Sequence, residues 1–270
     1  MIGLEVIILM LIMIALGGVL ICAGVFFMPV GGAPAAMSTA TGIATGCEMM
    51  ATGAGITGLL MATALYKWPS YIVMLNAGIS SAIMMCMTMF FANLIVIFGK
   101  GVPPALATVD RDPVTKDNVK PYVTPGTVGH GVPTASFISG FIGAFLGGVG
   151  GALTLIPILR AALALSSSKL SSVGINTLFE PIEWMSAGYQ HVPLFVLACM
   201  CALAMYFVNA NIAAYSIRGV IEGWWDPKFK RLPKTALVCF IASLVFGVLV
   251  LLLLNSDAFI YTTSLIGGGM

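Results

Sequence analysis

Six long apolar stretches constrain this chain more than any other feature of its sequence. They span approximately residues 6–28, 38–65, 71–98, 134–159, 192–215 and 236–254. A membrane-spanning helix needs roughly 20 mainly apolar residues, and a segment in lipid must satisfy its own backbone hydrogen bonds, which favours helices. The sequence therefore predicts an all-α polytopic membrane protein, with about six transmembrane helices forming a single integral membrane domain over residues 1–270.

The scarcity of charged residues excludes two classes of protein. Only 8% of the residues are charged, whereas soluble globular proteins carry roughly 25%, so a soluble fold is excluded. The net charge of +2 is dispersed along the chain, so nucleic-acid binding, which needs basic residues gathered into a stripe, is excluded as well. The cysteines all lie inside apolar runs, which predicts free thiols and neither disulfides nor a zinc site.

The distribution of lysine and arginine predicts the orientation of the helices. Cytoplasmic loops carry an excess of these residues. The loops after the first, third and fifth stretches contain nine: Lys100, Arg111, Lys116, Lys120, Arg218, Lys228, Lys230, Arg231 and Lys234. The loops on the other side contain three, which are Lys67, Arg160 and Lys169. We therefore expect three hairpins with cytoplasmic turns and both termini outside.

Three connecting segments have a recognisable character. Residues 99–133 are predicted to form a cytoplasmic loop, in which 105–109 and 120–124 pair as a small β-hairpin. Residues 216–235 are predicted to form a basic cytoplasmic loop. Residues 160–191 are predicted to form an extracytoplasmic loop with an interfacial helix near Pro181, because proline suits a first helical turn and aromatic residues mark the membrane boundary.

Glycines spaced four residues apart occur in the second and fourth apolar stretches. They are Gly42 and Gly46, and then Gly143, Gly147 and Gly151. Small residues at this spacing let helix backbones approach closely in a membrane. The pattern predicts tight helix packing, with partners either in this chain or in a neighbouring one.

Three polar residues within the apolar stretches are candidates for a cation pathway. Glu48 lies near the middle of the second stretch, where charged residues usually face a cavity or a partner; protonation or pairing at a subunit contact are the alternatives. Asn209 and Asn211 lie in the fifth stretch and carry neutral oxygens that a hard cation accepts. Hydrogen bonding between helices explains these two asparagines equally well.

Glycine-rich turns precede the second and fourth stretches and are candidates for anion binding. Helix N-termini carry free N–H groups and a positive dipole end, and the alternative is that glycine and proline only form turns and caps. No catalytic set is evident in the sequence. The candidate positions are Gly31, Gly32, Ala33, Pro34, Ala35, Thr124, Gly126, Gly129, His130, Gly131 and Thr134.

Three unusual stretches together resemble one protein family. They are Phe27–Met37, Tyr122–Gly131 and Ile221–Arg231. The chain is similar, from its first apolar stretch to its sixth, to the D subunit of tetrahydromethanopterin S-methyltransferase from methanogenic archaea. Residues 163–190 match the family least well.

The resemblance implies a sodium-exporting complex that moves a methyl group from methyl-tetrahydromethanopterin, or its sarcinapterin variant, through a corrinoid to coenzyme M. It implies two other large membrane subunits and a corrinoid-bearing subunit as partners, besides coenzyme M and membrane lipids. This chain would then bind neither corrinoid nor pterin as its main duty. The three cytoplasmic turns, with Glu222 in the third, would help to form the meeting place of coenzyme M and the corrinoid, and Glu48, Asn209 and Asn211 would be candidates for a sodium pathway.

Two other functions are compatible with the same sequence. One is a stand-alone secondary transporter or ion channel, although the unusual residues lie mostly in the turns and not at broken helices in mid-membrane. The other is a structural scaffold that positions its neighbours and touches no ligand.

Overall fold

The computed structural model describes residues 3–28, 45–99, 106–107, 110–111, 116, 118, 130–131, 133–166, 174–181, 192–217 and 227–256. The helices of this part are α1 (Leu4–Phe27), α2 (Thr45–Ala64), α3 (Ser70–Gly99), α4 (Pro133–Ser166), α5 (Ile175–Phe179), α6 (Val192–Ile217) and α7 (Leu232–Leu254). A 3₁₀-helix, Pro227–Arg231, precedes α7, and two short strands, β1 (Leu106–Ala107) and β2 (His130–Gly131), lie between α3 and α4. The predicted all-α fold is confirmed.

The length and composition of the helices fit a multi-pass membrane protein. In the described part of the chain, five are long and apolar enough to cross a membrane, namely Leu4–Phe27, Ser70–Phe91, Phe137–Leu165, Val192–Ile217 and Phe229–Leu254. Within the second predicted span, Ala51–Ala64 qualifies as a shorter apolar helix. The polytopic membrane architecture is thus confirmed, with five long spans and one shorter apolar helix.

Helix α4 lies at the centre of the bundle, in contact with α1, α2, α3 and α6. It runs antiparallel to α1, because Gly17 lies against Gly150 while Gly24 lies against Gly143. A Cβ atom added to Gly24 would lie 2.7 Å from the carbonyl oxygen of Gly143. The tight packing predicted for the glycines of the fourth stretch is confirmed, and the partners belong to this chain.

The ends of the helices that flank the three predicted cytoplasmic turns meet at one end of the bundle, which we call the loop end. The Ser139 hydroxyl near the start of α4 donates to the carbonyl of Phe27 at the end of α1, at 2.5 Å. Ser216 near the end of α6 is hydrogen-bonded to Thr235 in the first turn of α7, also at 2.5 Å. This is the arrangement that three hairpins require. The assignment of the loop end to the cytoplasm stays a prediction.

The strands between α3 and α4 include a pairing that the sequence did not predict. β1 lies within the predicted first strand, but its antiparallel partner is β2, with Ala107 opposite His130. The predicted partner, 120–124, lies outside the described residues. Pairing at the base of the loop is favoured because α3 and α4 already pack together, which brings 106–107 and 130–131 close at little additional cost in loop-closure entropy.

The predicted boundary of the fourth span was wrong. α4 continues to Ser166 instead of ending at 159, so Arg160 lies inside a helix and not in the predicted 160–191 loop. The apolar residues Ala161–Leu165 continue the helix, and most of them are buried. In the same region α5 ends at Phe179, before Pro181, and residues 182–190 of the predicted interfacial helix lie outside the described residues.

Candidate functional site

The loop end of the bundle is built so that the bases of the three turns adjoin one another. Phe229, which follows the third turn, packs edge-on against Phe27 at the end of α1, with ring centroids 5.2 Å apart. Arg231 donates to the carbonyl of Ser216 at 2.6 Å and so closes the base of the third turn. The first turn begins directly after α1, and the Ser139 bond brings the start of α4 to the same place. The bases of three loops therefore converge here.

The structure places part of the predicted anion-binding set at this end. His130 and Gly131 form β2, and Thr134 lies in the first turn of α4, which begins at Pro133. The N-terminus of α4 therefore faces the loop end, where its free N–H groups and dipole favour an anion. The remaining members of the set, Gly31, Gly32, Ala33, Pro34, Ala35, Thr124, Gly126 and Gly129, lie outside the described residues, as does Glu222 of the third turn.

Asn209 is fully buried between α6, α1 and α7. Its amide nitrogen donates to the carbonyl of Met205 at 2.9 Å and to the hydroxyl of Ser243 at 3.2 Å. Gly18 of α1 packs against Asn209 and Ser243, so a side chain at position 18 would collide with both residues. These contacts support the alternative that Asn209 joins helices by hydrogen bonds.

Asn211 does not join Asn209 in a single site. Two residues along a helix correspond to a rotation of about 200°, so the two side chains leave α6 on different faces. The Asn211 amide donates to the carbonyl of Phe207, one turn earlier on its own helix, at 3.0 Å. The two asparagines therefore do not form a common set of cation ligands.

Glu48 lies on the first turn of the described part of α2, three residues before Ala51. The carbonyl of Ala51 accepts a hydrogen bond from the buried Tyr206 hydroxyl at 2.6 Å. The Tyr206 ring lies against Gly55, where any larger residue would collide with it. The contact between α2 and α6 therefore begins about one helical turn after Glu48 and continues towards the end of the bundle opposite the loop end.

The sequence did not predict the burial of Arg160, which is the most deeply buried charged side chain among the described residues. Arg160 is 1% exposed, and its guanidinium donates to the carbonyl of Glu180 at 2.7 Å and to that of Tyr66 at 3.1 Å. Further bonds reach the carbonyls of Trp68 and Thr177. The signal in the sequence was the apolar run that continues on both sides of Arg160.

The described part of the chain contains no group of three or more histidine, cysteine or acidic residues arranged to hold a metal ion. Its cysteines are free thiols, namely Cys22, Cys86, Cys199, Cys201 and Cys239. The candidate site therefore consists of backbone donors at the loop end and polar side chains within the bundle.

Comparison with known proteins distinguishes a subunit of an enzyme from a stand-alone transporter. A sequence model of the family described as the D subunit of tetrahydromethanopterin S-methyltransferase matches residues 7–243. The chain belongs to this family. The family assignment made from the three unusual stretches is thereby confirmed.

Relatives in the family are similar over nearly their whole length. The D subunit of Methanothermobacter marburgensis is 43% identical over 246 residues, which cover 91% of this chain and 96% of the relative. That of Methanopyrus kandleri is 42% identical over 244 residues, covering 90% and 94%. That of Methanosarcina barkeri is 40% identical over 235 residues, covering 86% and 89%.

Family membership makes this chain a membrane subunit of a methyltransferase complex, and other subunits of that complex are its partners. The matched residues run from α1 into α7 and include the three loops whose flanking helix ends meet at the loop end. A stand-alone transporter or channel is the weaker alternative for a chain that belongs to such a family.

Proposed function

We propose that this subunit serves the transfer of a methyl group from methyl-tetrahydromethanopterin, or its sarcinapterin variant, through a corrinoid to coenzyme M, coupled to sodium export. The corrinoid belongs to a partner subunit, and this chain binds neither corrinoid nor pterin as its main duty. Its three turns help to form the place where the corrinoid-bearing subunit and coenzyme M meet, next to two other large membrane subunits.

The observation that carries the proposal is the convergence of the three turn bases at the loop end. The contacts of Phe27 with Ser139 and Phe229 hold the end of α1 against the elements that flank the second and third turns. Changes in one turn can therefore be transmitted to the others through a short chain of contacts. A shared surface suits a reaction in which a large partner and a small substrate must meet.

The chemistry of coenzyme M fits the donors at this end. Its sulfonate is an anion, and the N-terminus of α4 offers free N–H groups and a positive dipole end. The glycines from 126 to 131 allow the backbone to approach a ligand closely. Backbone donors fixed before binding also hold the sulfonate without the cost of reorganisation.

Substitution of Gly129 by valine in the assembled complex tests this role. We expect the apparent KM for coenzyme M to rise about tenfold, because a branched side chain displaces the ligand from the backbone donors. The same measurement on Gly174→Val is the control, because Gly174 lies next to α5, away from the loop end, and a Cβ there meets nothing within 4 Å. An unchanged KM in both variants would leave only the scaffold function.

Sodium export adds an energetic requirement to methyl transfer. Moving one charge against 100 mV costs about 2.3 kcal/mol, and the demethylation of the corrinoid would have to supply it. An oxygen-bearing route through the bundle is then needed, for which Glu48, Asn209 and Asn211 are the candidates in this chain. Reconstituted complex should accumulate sodium in vesicles only while methyl transfer proceeds.

A further inference from the structure

Helix α7 packs against α1 and α6 with a face of small and polar residues. These buried residues recur every four positions along the helix, and they are Thr235, Cys239, Ser243 and Gly247. Small and polar residues are the ones that join helices to each other in a membrane. Helix α7 thus uses this face for contacts within the chain.

The outward face of α7 is purely aliphatic. From position 237 to position 253, every exposed residue is leucine, valine or isoleucine. These residues recur every three or four positions and so form one stripe along the helix, which includes Leu237, Val238, Ile241, Val245, Val248 and Leu252. Such a face offers a neighbouring helix neither a close approach of the backbones nor a hydrogen bond. It suits the acyl chains of lipids.

Two exposed lysines extend this stripe at the loop end. Lys234 lies in the first turn of α7, three and four residues before Leu237 and Val238 and therefore on the same side of the helix. Lys230 is exposed one turn earlier. Helix α7 has 23 residues, which amounts to about 34 Å at 1.5 Å per residue, whereas the hydrocarbon core is about 30 Å thick. The two ammonium groups therefore reach the level of the lipid headgroups.

The 3₁₀-helix before α7 directs Lys230 outwards. Both of its neighbours in the sequence contact the bundle, since Phe229 packs against Phe27 and Arg231 donates to the carbonyl of Ser216 at 2.6 Å. A 3₁₀-helix has three residues per turn, so successive side chains leave it about 120° apart. Lys230 therefore takes the remaining side, away from the bundle.

The described side chains around these lysines carry no negative charge. Neither α6 nor the half of α1 next to the loop end has an acidic residue. Of the acidic side chains that the structure describes, Glu5 and Glu180 lie at the opposite end of the bundle, and Asp110 follows β1. The described part of this flank is thus positively charged above an aliphatic surface.

We propose that Lys230 and Lys234 bind the phosphate of an anionic lipid whose acyl chains lie along the aliphatic face of α7. The positive charges select the headgroup, and the stripe of leucine, valine and isoleucine accommodates the chains. The bound headgroup stabilises the 3₁₀-helix, and with it the contact of Phe229 with Phe27 at the base of the third turn. This lipid site is independent of the coenzyme M and sodium roles proposed above.

Photo-crosslinking in vesicles tests the site without relying on activity. The assembled complex would be reconstituted in phosphatidylcholine with a small fraction of either phosphatidylglycerol or phosphatidylcholine that carries a photoreactive acyl chain, and labelled peptides quantified by mass spectrometry. The exposed aliphatic stripe of α1 is the internal control, because Glu5 and no lysine stands at its end. We expect phosphatidylglycerol to label α7 in preference to phosphatidylcholine, by about fivefold for each lysine, and to show no such preference at α1.

Variants of the two lysines identify the source of the preference. Lys230→Gln and Lys234→Gln should each lower it about fivefold, and the double variant should abolish it, whereas replacement of both lysines by arginine should preserve it. Lys67→Gln, at the other end of the bundle, is the matched control and should leave the preference at α7 unchanged. Unaltered labelling of α1 verifies that each variant is assembled and reconstituted.

The contrary outcomes are equally distinct. Equal labelling of α7 by the two lipids, or a preference that survives in the double variant, would show that the lysines do not bind lipid phosphate. If neither lipid labels α7, its outward face is covered by protein, such as an acidic partner subunit or a second copy of the chain. Each of these results overturns the proposal.

Discussion

At the end of the bundle opposite the turns, the Arg160 guanidinium is held by backbone carbonyls. Two come from the turn between α2 and α3, and two from α5 and its end. Hydrogen bonds that involve a charged group contribute about 1.5–3 kcal/mol each, and the planar fork of arginine fits several carbonyls at once. Through its one side chain, Arg160 thus joins segments that are distant from each other in the sequence.

Replacement of Arg160 by lysine should destabilise the subunit although the charge is kept. An ammonium group has three donors and no planar fork, so carbonyls on at least one side lose their partner. We expect a loss of about 3 kcal/mol, measured as a lower dissociation temperature of the complex in detergent. Lys67→Met, on the neighbouring turn, is the control and should have little effect. Equal stability of Arg160→Lys and the wild type would show that the carbonyl bonds are dispensable.

The sequence predicts which residues are buried better than it predicts the hydrogen-bond partners of those residues. The burial of Asn209 follows from its place in an apolar stretch, but its bond to Ser243 depends on which face α7 turns towards α6. Arg160 was predicted to lie in a loop because a lone basic residue near the end of an apolar run usually ends the span. Only the fold shows that carbonyls from two other segments surround it.

At the scale of the elements, close contact between α1 and α4 depends on glycine on both sides. Gly24 faces Gly143, and Gly17 faces Gly150. Van der Waals contact and weak backbone interactions replace the hydrophobic effect between helices in lipid. The sequence spacing predicted that glycines of α4 support tight packing, and the structure adds that α1 is a partner.

Gly24→Ala should therefore weaken the joint between α1 and α4. The added methyl group would lie 2.7 Å from the carbonyl oxygen of Gly143, so the helices must separate. Overpacking of this kind typically costs about 1–3 kcal/mol, and thermal unfolding of the purified complex would measure it. Gly3→Ala is the control, because a Cβ there meets nothing within 4 Å. A Gly24 variant as stable as the control would contradict the importance of this contact.

Helix boundaries were the least predictable property at this scale. The apolar pattern located the membrane helices, since hydropathy alone determines where a chain can cross lipid. It placed the end of α4 seven residues too early, at 159 instead of 166, because Arg160 interrupts the pattern. It did not predict the pairing of β1 with β2, because short strands pair according to where the flanking helices bring them and not according to composition.

For the whole molecule, the loop end collects the bases of the three turns that carry most of the basic residues. Because successive helices run in opposite directions, the ends of α1 and α6 and the starts of α4 and α7 lie at the same end of the bundle. This much could be predicted from the alternation of apolar stretches and basic loops. The order in which helices surround α4 could not, since every apolar face is acceptable to lipid.

The predicted orientation can be tested on intact cells. Lys100→Cys and Lys67→Cys place one reactive thiol near each end of the bundle, and a charged maleimide that does not cross the membrane labels only the outer side. We expect labelling of Lys67→Cys alone, because basic residues concentrate on the cytoplasmic side. Inverted vesicles should give the opposite result. Labelling of Lys100→Cys on intact cells would reverse the orientation and place the loop end outside.

The glycines of α4 serve several neighbours at once. Gly143 and Gly150 meet α1, Gly148 meets α3, and Gly147 meets the Tyr206 hydroxyl of α6. One inserted residue would rotate the rest of α4 by about 100°, so every contact beyond the insertion would face the wrong neighbour together. An insertion or deletion within α4 should therefore be tolerated far less than one in a loop, because α1, α3 and α6 all depend on the register of this one helix.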